Sequence, residues 1–595
     1  MTRLAPFSLL LAGLLWGGSA RAAPVMSFDE VRPGMKGVGH TVFDGTRVET
    51  FEVEILGKLP GLGPDQDLIL ARLSGGPLEQ TGVLAGMSGS PVLIDDRLVG
   101  AVAYSWGFAK EAVAGITPIE QMLRIADLST PSPQRTGSLS PGHEDLNRLR
   151  SPARLRAFFD DGWQSLLSAR GGWPSHVPLA VSGLGPLGLA RIAPQLAGAG
   201  LLPLQSGAPA GAADRTPAEP MRAGSAIGLR LVGGDVEMTA MGTVTWVEED
   251  RLLAFGHPLF GLGAIDLPMT GARVEALLPS LHQSLRMATP LGEVGALRQD
   301  RASGVMGRLG ASPRTIPVRL QLGGGSVDER SYKFELADDP LLAPLLLYAS
   351  LNGILASRER AFGSATIRLR EGSVIKMIAS DDVELDNLFA GPSAFDLGTG
   401  LPAYILYLVM NNVWGQPQIA GVNLLMDYDE VPRTGRVRRV SLDRYRVAPG
   451  ETVEVTVVLS AYRGRDQVLR REIVIPPEVS PGQVSVIVGG APEVSRSMGR
   501  DEPLLPRDLD QLIRLINQLR RNDRVFIVAT REDAGVLVSG ARLPNLPPSA
   551  ATLLSRPRRS VGSGQVTERG ILEEIIPTEY AVEGSARIQL TLEAP

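Results

Sequence analysis

The stretch Gly86-Met87-Ser88-Gly89-Ser90-Pro91 does most to decide what this chain can fold into. It lies between Asp67–Leu73 (DLILARL), which reads as a strand, and Val92–Tyr104 (VLIDDRLVGAVAY), which reads as an apolar hairpin turning at Asp95-Asp96. Its glycines permit backbone angles that other residues avoid. They also leave the serine hydroxyl and the neighbouring N–H groups uncovered. A nucleophilic serine needs that arrangement, with Oγ exposed and two N–H groups facing the developing oxyanion. Without a second feature it reads as a tight Gly/Ser turn between two strands.

At 595 residues the chain exceeds one core, and three or four domains are expected. Its 68 glycines and 45 prolines, with 5% aromatic residues, suit a turn-rich β protein. Net charge is −5 and no basic stripe stands out, which argues against nucleic acid as a partner. The chain has no cysteine, so disulfides, thiolate catalysis and cysteine-ligated zinc are excluded. No metal cluster or phosphate-binding loop is evident, and no cofactor is expected.

The first 22 residues read as a signal peptide, from Arg3, the apolar run Phe7–Trp16 and the A-x-A-like Ala20-Arg21-Ala22. Export without disulfides fits a bacterial envelope, periplasmic or extracellular. Thr50–Ile55 alternates polar and apolar as a half-buried strand does. Thr117 and Pro118 read as the cap and first residue of a helix with Glu120 behind them. Residues 128–143 and 205–223 read as linkers around a small mixed segment, with helices near Leu149–Ser168 and Leu187–Ala197 and a strand at Val177–Val181. Short strands follow Gly224. Leu341–Ser357 reads as a core helix rather than a membrane span. Beyond Val431 the strands suggest an immunoglobulin-like sandwich. Asp508 caps an amphipathic helix expected to pack against strands such as Val525–Ala529.

G-M-S-G-S-P, followed by a strand, a turn and L-V-G-A-V, resembles the SpoIVB-type serine peptidases, a family of bacterial endopeptidases similar to the chymotrypsin-like double β-barrels. So does Phe51-Glu52-Val53-Glu54-Ile55. Gly242–Thr245, a turn at Glu248–Asp250 and Leu252–Pro258 (LLAFGHP) resemble the family's histidine segment. The likeness spans roughly Met26–Leu123 and Gly224–Leu336.

The resemblance implies a serine endopeptidase acting on a protein or peptide, here an envelope protein. It implies Ser88 as nucleophile, with Ser90 as the rival, and the N–H groups of Gly86 and Ser88 as oxyanion donors. It makes His257 the general base, preferred over His40. His143, His176 and His282 carry no motif. Two departures stand out. Here the serine precedes the histidine by 169 residues (257 − 88), so the order is permuted. The family's acid stands about fifteen residues before its serine, where this chain has Leu73 and Ser74. Asp67 is the preferred substitute, then Asp266, with Asp65 nearby. Ser74 or a backbone carbonyl could instead orient the imidazole. The missing acid leaves open a second reading, an inactive peptidase fold serving as an envelope scaffold.

The expected fold is mainly β: a permuted chymotrypsin-like double β-barrel with a small α/β insert and a C-terminal Ig-like β-sandwich. The expected boundaries are 1–22 for the signal peptide, 23–127 for the serine segment and 128–223 for linkers and insert. The histidine segment with a helical region takes 224–430, and the Ig-like region with an α/β extension takes 431–595.

Overall fold

The computed structural model describes residues 24–64, 66–107, 109–128, 145, 148–149, 151–169, 176–207, 219–324, 327–358, 363–498, 506–538, 541–544, 547, 549–550 and 564–594. The expected signal peptide, Asp65 and His143 lie outside these residues, as does most of both expected linkers.

Six strands close a first barrel: β1 (Lys36–Val42), β2 (Val48–Gly63), β3 (Gln66–Ser74), β4 (Pro91–Ile94), β5 (Arg97–Ser105) and β6 (Val113–Pro118), in the order β1-β2-β3-β6-β5-β4. The alternation of β2 turns Phe51, Val53 and Ile55 inward, where they meet Ile69, Val92, Val102 and Ile116. Asp95 and Asp96 both take positive φ, as a two-residue hairpin turn between β4 and β5 requires.

Beyond the first barrel the chain enters a fifteen-stranded sheet. It begins with β7 (Val177–Ser182) and β8 (Leu201–Gln205), parallel strands joined by the helix Pro186–Gly198. Next come β9 (Ala226–Gly234), β10 (Glu237–Glu248), β11 (Arg251–Ala254), β12 (Gly263–Leu278), β13 (Leu285–Arg301) and β14 (Gly304–Leu309). Pairing runs β9-β12-β13-β14-β11-β10 and returns from β10 to β9, so these six form a second closed ring. The fold is therefore mainly β, with the two-barrel plan of the chymotrypsin-like class.

The segment expected to be a separate insert is part of this sheet. β7 pairs with β10, and the helices Pro152–Ala169 and Pro186–Gly198 bury Phe159, Trp163, Ile192 and Leu196 in the same core as the barrel strands. β15 (Thr315–Gly324) and β16 (Val327–Ala337) form a hairpin that extends the sheet through β16 and β9. The helices Leu342–Arg358 and Ala394–Met410 lie in this core, the first as expected. No described helix is long and apolar enough to cross a membrane. The C-terminal region stacks a four-stranded and a six-stranded sheet over a core of Val453, Val455, Val486, Ile527 and Leu590.

Two local expectations need correction. The helix after β6 begins at Ile119, its N-cap is Pro118, and no side chain caps it. The Thr117 hydroxyl donates instead to the Gly256 carbonyl of the second barrel at 2.6 Å. The helix capped by Asp508 runs Leu509–Asn517 and buries Leu512, Ile513 and Ile516 in the large core that holds Ala394–Met410, not against Val525–Ala529.

The barrels dock closely. Leu98, Ala101, Ile119 and Met122 share a core with Trp246, Leu253 and Met306. The β1–β2 turn pairs with β12, Gly45 and Val274 exchanging backbone bonds of 2.9 and 2.8 Å. All of this surrounds the serine loop.

Candidate active site

Met87 anchors the serine loop, fully buried in the first barrel's core. On either side of Ser88, Gly86 and Gly89 take φ of +97° and +99°, a region that only glycine enters without strain. The second barrel grips the loop from outside. Thr243 N donates to Ser88 O at 2.8 Å, Thr243 Oγ1 to Gly86 O at 3.0 Å and Thr245 Oγ1 to Gly89 O at 2.8 Å. Upstream, Ala85 N donates to Ser284 O and Arg286 N to Ala85 O, so the approach to Ser88 is paired with β13.

These bonds leave a particular pair of donors over. Ala85, Met87, Gly89 and Ser90 all spend their N–H groups on backbone carbonyls. Among the described residues, the N–H groups of Gly86 and Ser88 have no acceptor, nor does the Ser88 hydroxyl. Ser88 is half-buried and reachable, whereas Ser90 is wholly buried with its Oγ unpaired. Burial thus separates two serines that sequence alone could tell apart only by motif.

His257 follows β11 on the loop to β12. Phe255 before it has φ +70°, unusual for a bulky residue, and the loop turns sharply there. The imidazole is buried, 5.8 Å from the Phe255 ring and 6.3 Å from that of Tyr104 in β5. Its Nδ1 lies 2.8 Å from Pro258 O. A carbonyl can only accept, so this contact puts the proton on Nδ1 and leaves Nε2 able to accept one.

The loop has a support that the sequence did not announce. Asp300 of β13, fully buried, accepts from the N–H groups of Leu259, Phe260 and Leu262 at 2.8, 2.8 and 3.2 Å. Burial raises its pKa, against these bonds. Only the position after an apolar strand segment, Gly295-Ala296-Leu297, hinted at an inward-facing carboxylate.

The structure brings the Ser88 and His257 segments together. A Cβ on Gly89 would lie 2.6 Å from Phe255 N, and one on Gly256 would lie 3.1 Å from Ala101 Cβ of β5. The candidate acids have other partners. Asp67 accepts from Gly61 N at 2.8 Å and from Gln121 Nε2 at 3.1 Å, tying the β2–β3 hairpin to the helix Ile119–Ala126. Asp266 pairs with Arg298 at 2.7 Å, and Ser74 Oγ donates to Glu52 at 3.3 Å. His40 sits on β1 opposite Thr50, half-buried, and burial lowers its pKa. A cavity of about 170 Å³ is lined in part by Pro178, Ala180, Met241, Arg286 and Ala288, of which Pro178 and Arg286 also neighbour Gly86.

Residues 18–123 match the family model of the SpoIVB peptidase S55. This segment is similar to the SpoIVB-type serine peptidases. The family is one of serine endopeptidases, which bears out the resemblance read from this part of the chain. The match ends before the His257 segment. Comparison with curated proteins and with solved structures found no match.

Proposed function

We propose that the chain is an exported serine endopeptidase that cleaves an envelope protein through an acyl-enzyme. Ser88 Oγ attacks the scissile carbonyl carbon and its proton passes to His257 Nε2. The N–H groups of Gly86 and Ser88 receive the oxyanion. The tetrahedral intermediate expels the amine, which takes the proton from the imidazolium, and water then hydrolyses the ester by the same route. The Pro258 carbonyl takes the orienting part that a carboxylate has in the usual triad. The transfer requires Ser88 Oγ and His257 Nε2 to come within hydrogen-bond reach in the substrate complex. The 170 Å³ cavity lined by Pro178 and Arg286, both neighbours of Gly86, has room for one substrate side chain.

The observation that carries this reading is the pair of unengaged N–H groups flanking a reachable serine hydroxyl, inside a segment of a peptidase family. Export rests on the Arg3, Phe7–Trp16 and Ala20–Ala22 pattern. The C-terminal sandwich, read as Ig-like, supplies a surface for envelope partners. An activated fluorophosphonate tests the chemistry. It is expected to label the wild-type protein on Ser88, to miss Ser88→Ala, and to label His257→Gln far more slowly. If folded wild-type protein takes up no label, the inactive scaffold, which the engagement of Asp67 by Gly61 and Gln121 favours, becomes the better description.

A further inference from the structure

Arg286 of β13 is buried to 2% exposure, yet every acceptor around its guanidinium is neutral. Nη1 donates to Thr41 Oγ1 at 3.0 Å and to Val42 O at 2.9 Å. Nη2 donates to Thr243 Oγ1 at 2.8 Å and also to Gly86 O. Among the described residues no carboxylate is paired with it. A buried charge without a counter-charge is costly. Burial draws its pKa down to about 9, which still leaves the group cationic at neutral pH.

Its position suggests a use for that cost. A trans peptide points its C=O and N–H in opposite directions. The Arg286 N–H holds Ala85 O, so the other end of that peptide, Gly86 N–H, points the opposite way, away from the Arg286 backbone. The Arg286 side chain holds the next carbonyl, Gly86 O. One residue therefore fixes the two consecutive peptide planes on either side of Gly86, the first of which carries a proposed oxyanion donor, and it reaches both barrels to do so. Glycine at residue 86 keeps the approach uncrowded: a Cβ there would lie 3.2 Å from Arg286 Nε, a tight contact.

We propose that Arg286 is a positioning residue of the peptidase site, which sets the Gly86 peptides and places a fixed positive charge behind the oxyanion pocket. The proposal rests on Ser88 being the nucleophile. A charge in a site shielded from water acts on the developing oxyanion more strongly than one in solvent, without rearranging during reaction.

The test measures fluorophosphonate labelling rates for wild type, Arg286→Met and Arg286→Lys, each scaled to the folded fraction from circular dichroism. Arg286→Met, which keeps bulk and loses charge, is expected to label about 10- to 100-fold slower. Arg286→Lys is expected to recover part of the loss, which a purely packing role would not produce. A folded Arg286→Met protein that labels at the wild-type rate overturns the proposal. So does an equal fall in both variants that tracks their folded fractions. If Arg286→Met does not fold, Thr243→Val removes one Nη2 acceptor and keeps the charge. It is expected to slow labelling about 3- to 10-fold, and a wild-type rate there overturns the proposal equally. A wild-type protein that takes up no label at all removes the peptidase reading itself, a different result from a silent Arg286.

Discussion

Gly89 has no space for a side chain. A Cβ there would fall 1.9 Å from Thr243 O and 2.6 Å from Phe255 N, both backbone atoms, and φ is +99°. Gly89→Ala is therefore expected to cost about 2–5 kcal/mol, from left-handed strain plus overpacking. Urea denaturation would measure the cost, and labelling should fall with it. Ser90, one residue on, predicts the reverse. Its buried hydroxyl has no partner, and such a group costs about 1–3 kcal/mol. Ser90→Ala should melt at or above the wild-type temperature and label normally; a loss as complete as that of Ser88→Ala would make Ser90 the nucleophile. Asp67→Asn should slow labelling less than about tenfold, whereas loss of a triad acid drops kcat by about 10⁴. His40 gives a pH signature. Burial lowers its folded pKa below 6.5, so the unfolded chain binds the proton more readily. Stability is then lost as pH falls below about 6.5, and His40→Gln should flatten that limb in thermal melts taken from pH 7 to 5.

At the scale of elements, the loop between β11 and β12 hangs on a single carboxylate. Asp300→Asn replaces an oxygen acceptor with an NH2 facing backbone donors, and should destabilise the protein by about 1–3 kcal/mol. Hydrogen exchange should locate the loosening at Leu259–Leu262. The first barrel was legible in the sequence because its signals are local: the Phe51-Val53-Ile55 alternation, the Asp95-Asp96 turn and the Gly-flanked serine. The segments carrying Ser88 and His257 were legible for the same reason. The parts that join distant elements were not. Thr117 reads as a helix cap from its neighbours, but Gly256 O, 139 residues away, takes its hydroxyl. Arg286 and Asp300 look like ordinary charges in a strand, since nothing nearby in the chain marks their partners. β7 and β8 read as an insert because their linkers are long, while their pairing with β10 is a tertiary choice.

At the scale of the molecule, the site is an interface between two closed barrels. Each has its own core, and they meet through Leu98, Ala101 and Ile119 on one side and Trp246 and Leu253 on the other. Cutting the chain within residues 129–144 removes none of the bonds described at that junction. Fragments 24–128 and 145–595, co-expressed, should associate and label with fluorophosphonate, and the small fragment alone should not; labelling of the small fragment alone would show that His257 is dispensable. The order of the segments also sets a schedule. A ribosome delivers Ser88 169 residues before His257 (257 − 88), and the first barrel can close while the second is still unmade. Throughout that interval the emerging chain carries the proposed nucleophile without its proposed base. On the proposed roles, the order of synthesis withholds the pairing of nucleophile and base until the second barrel has been made.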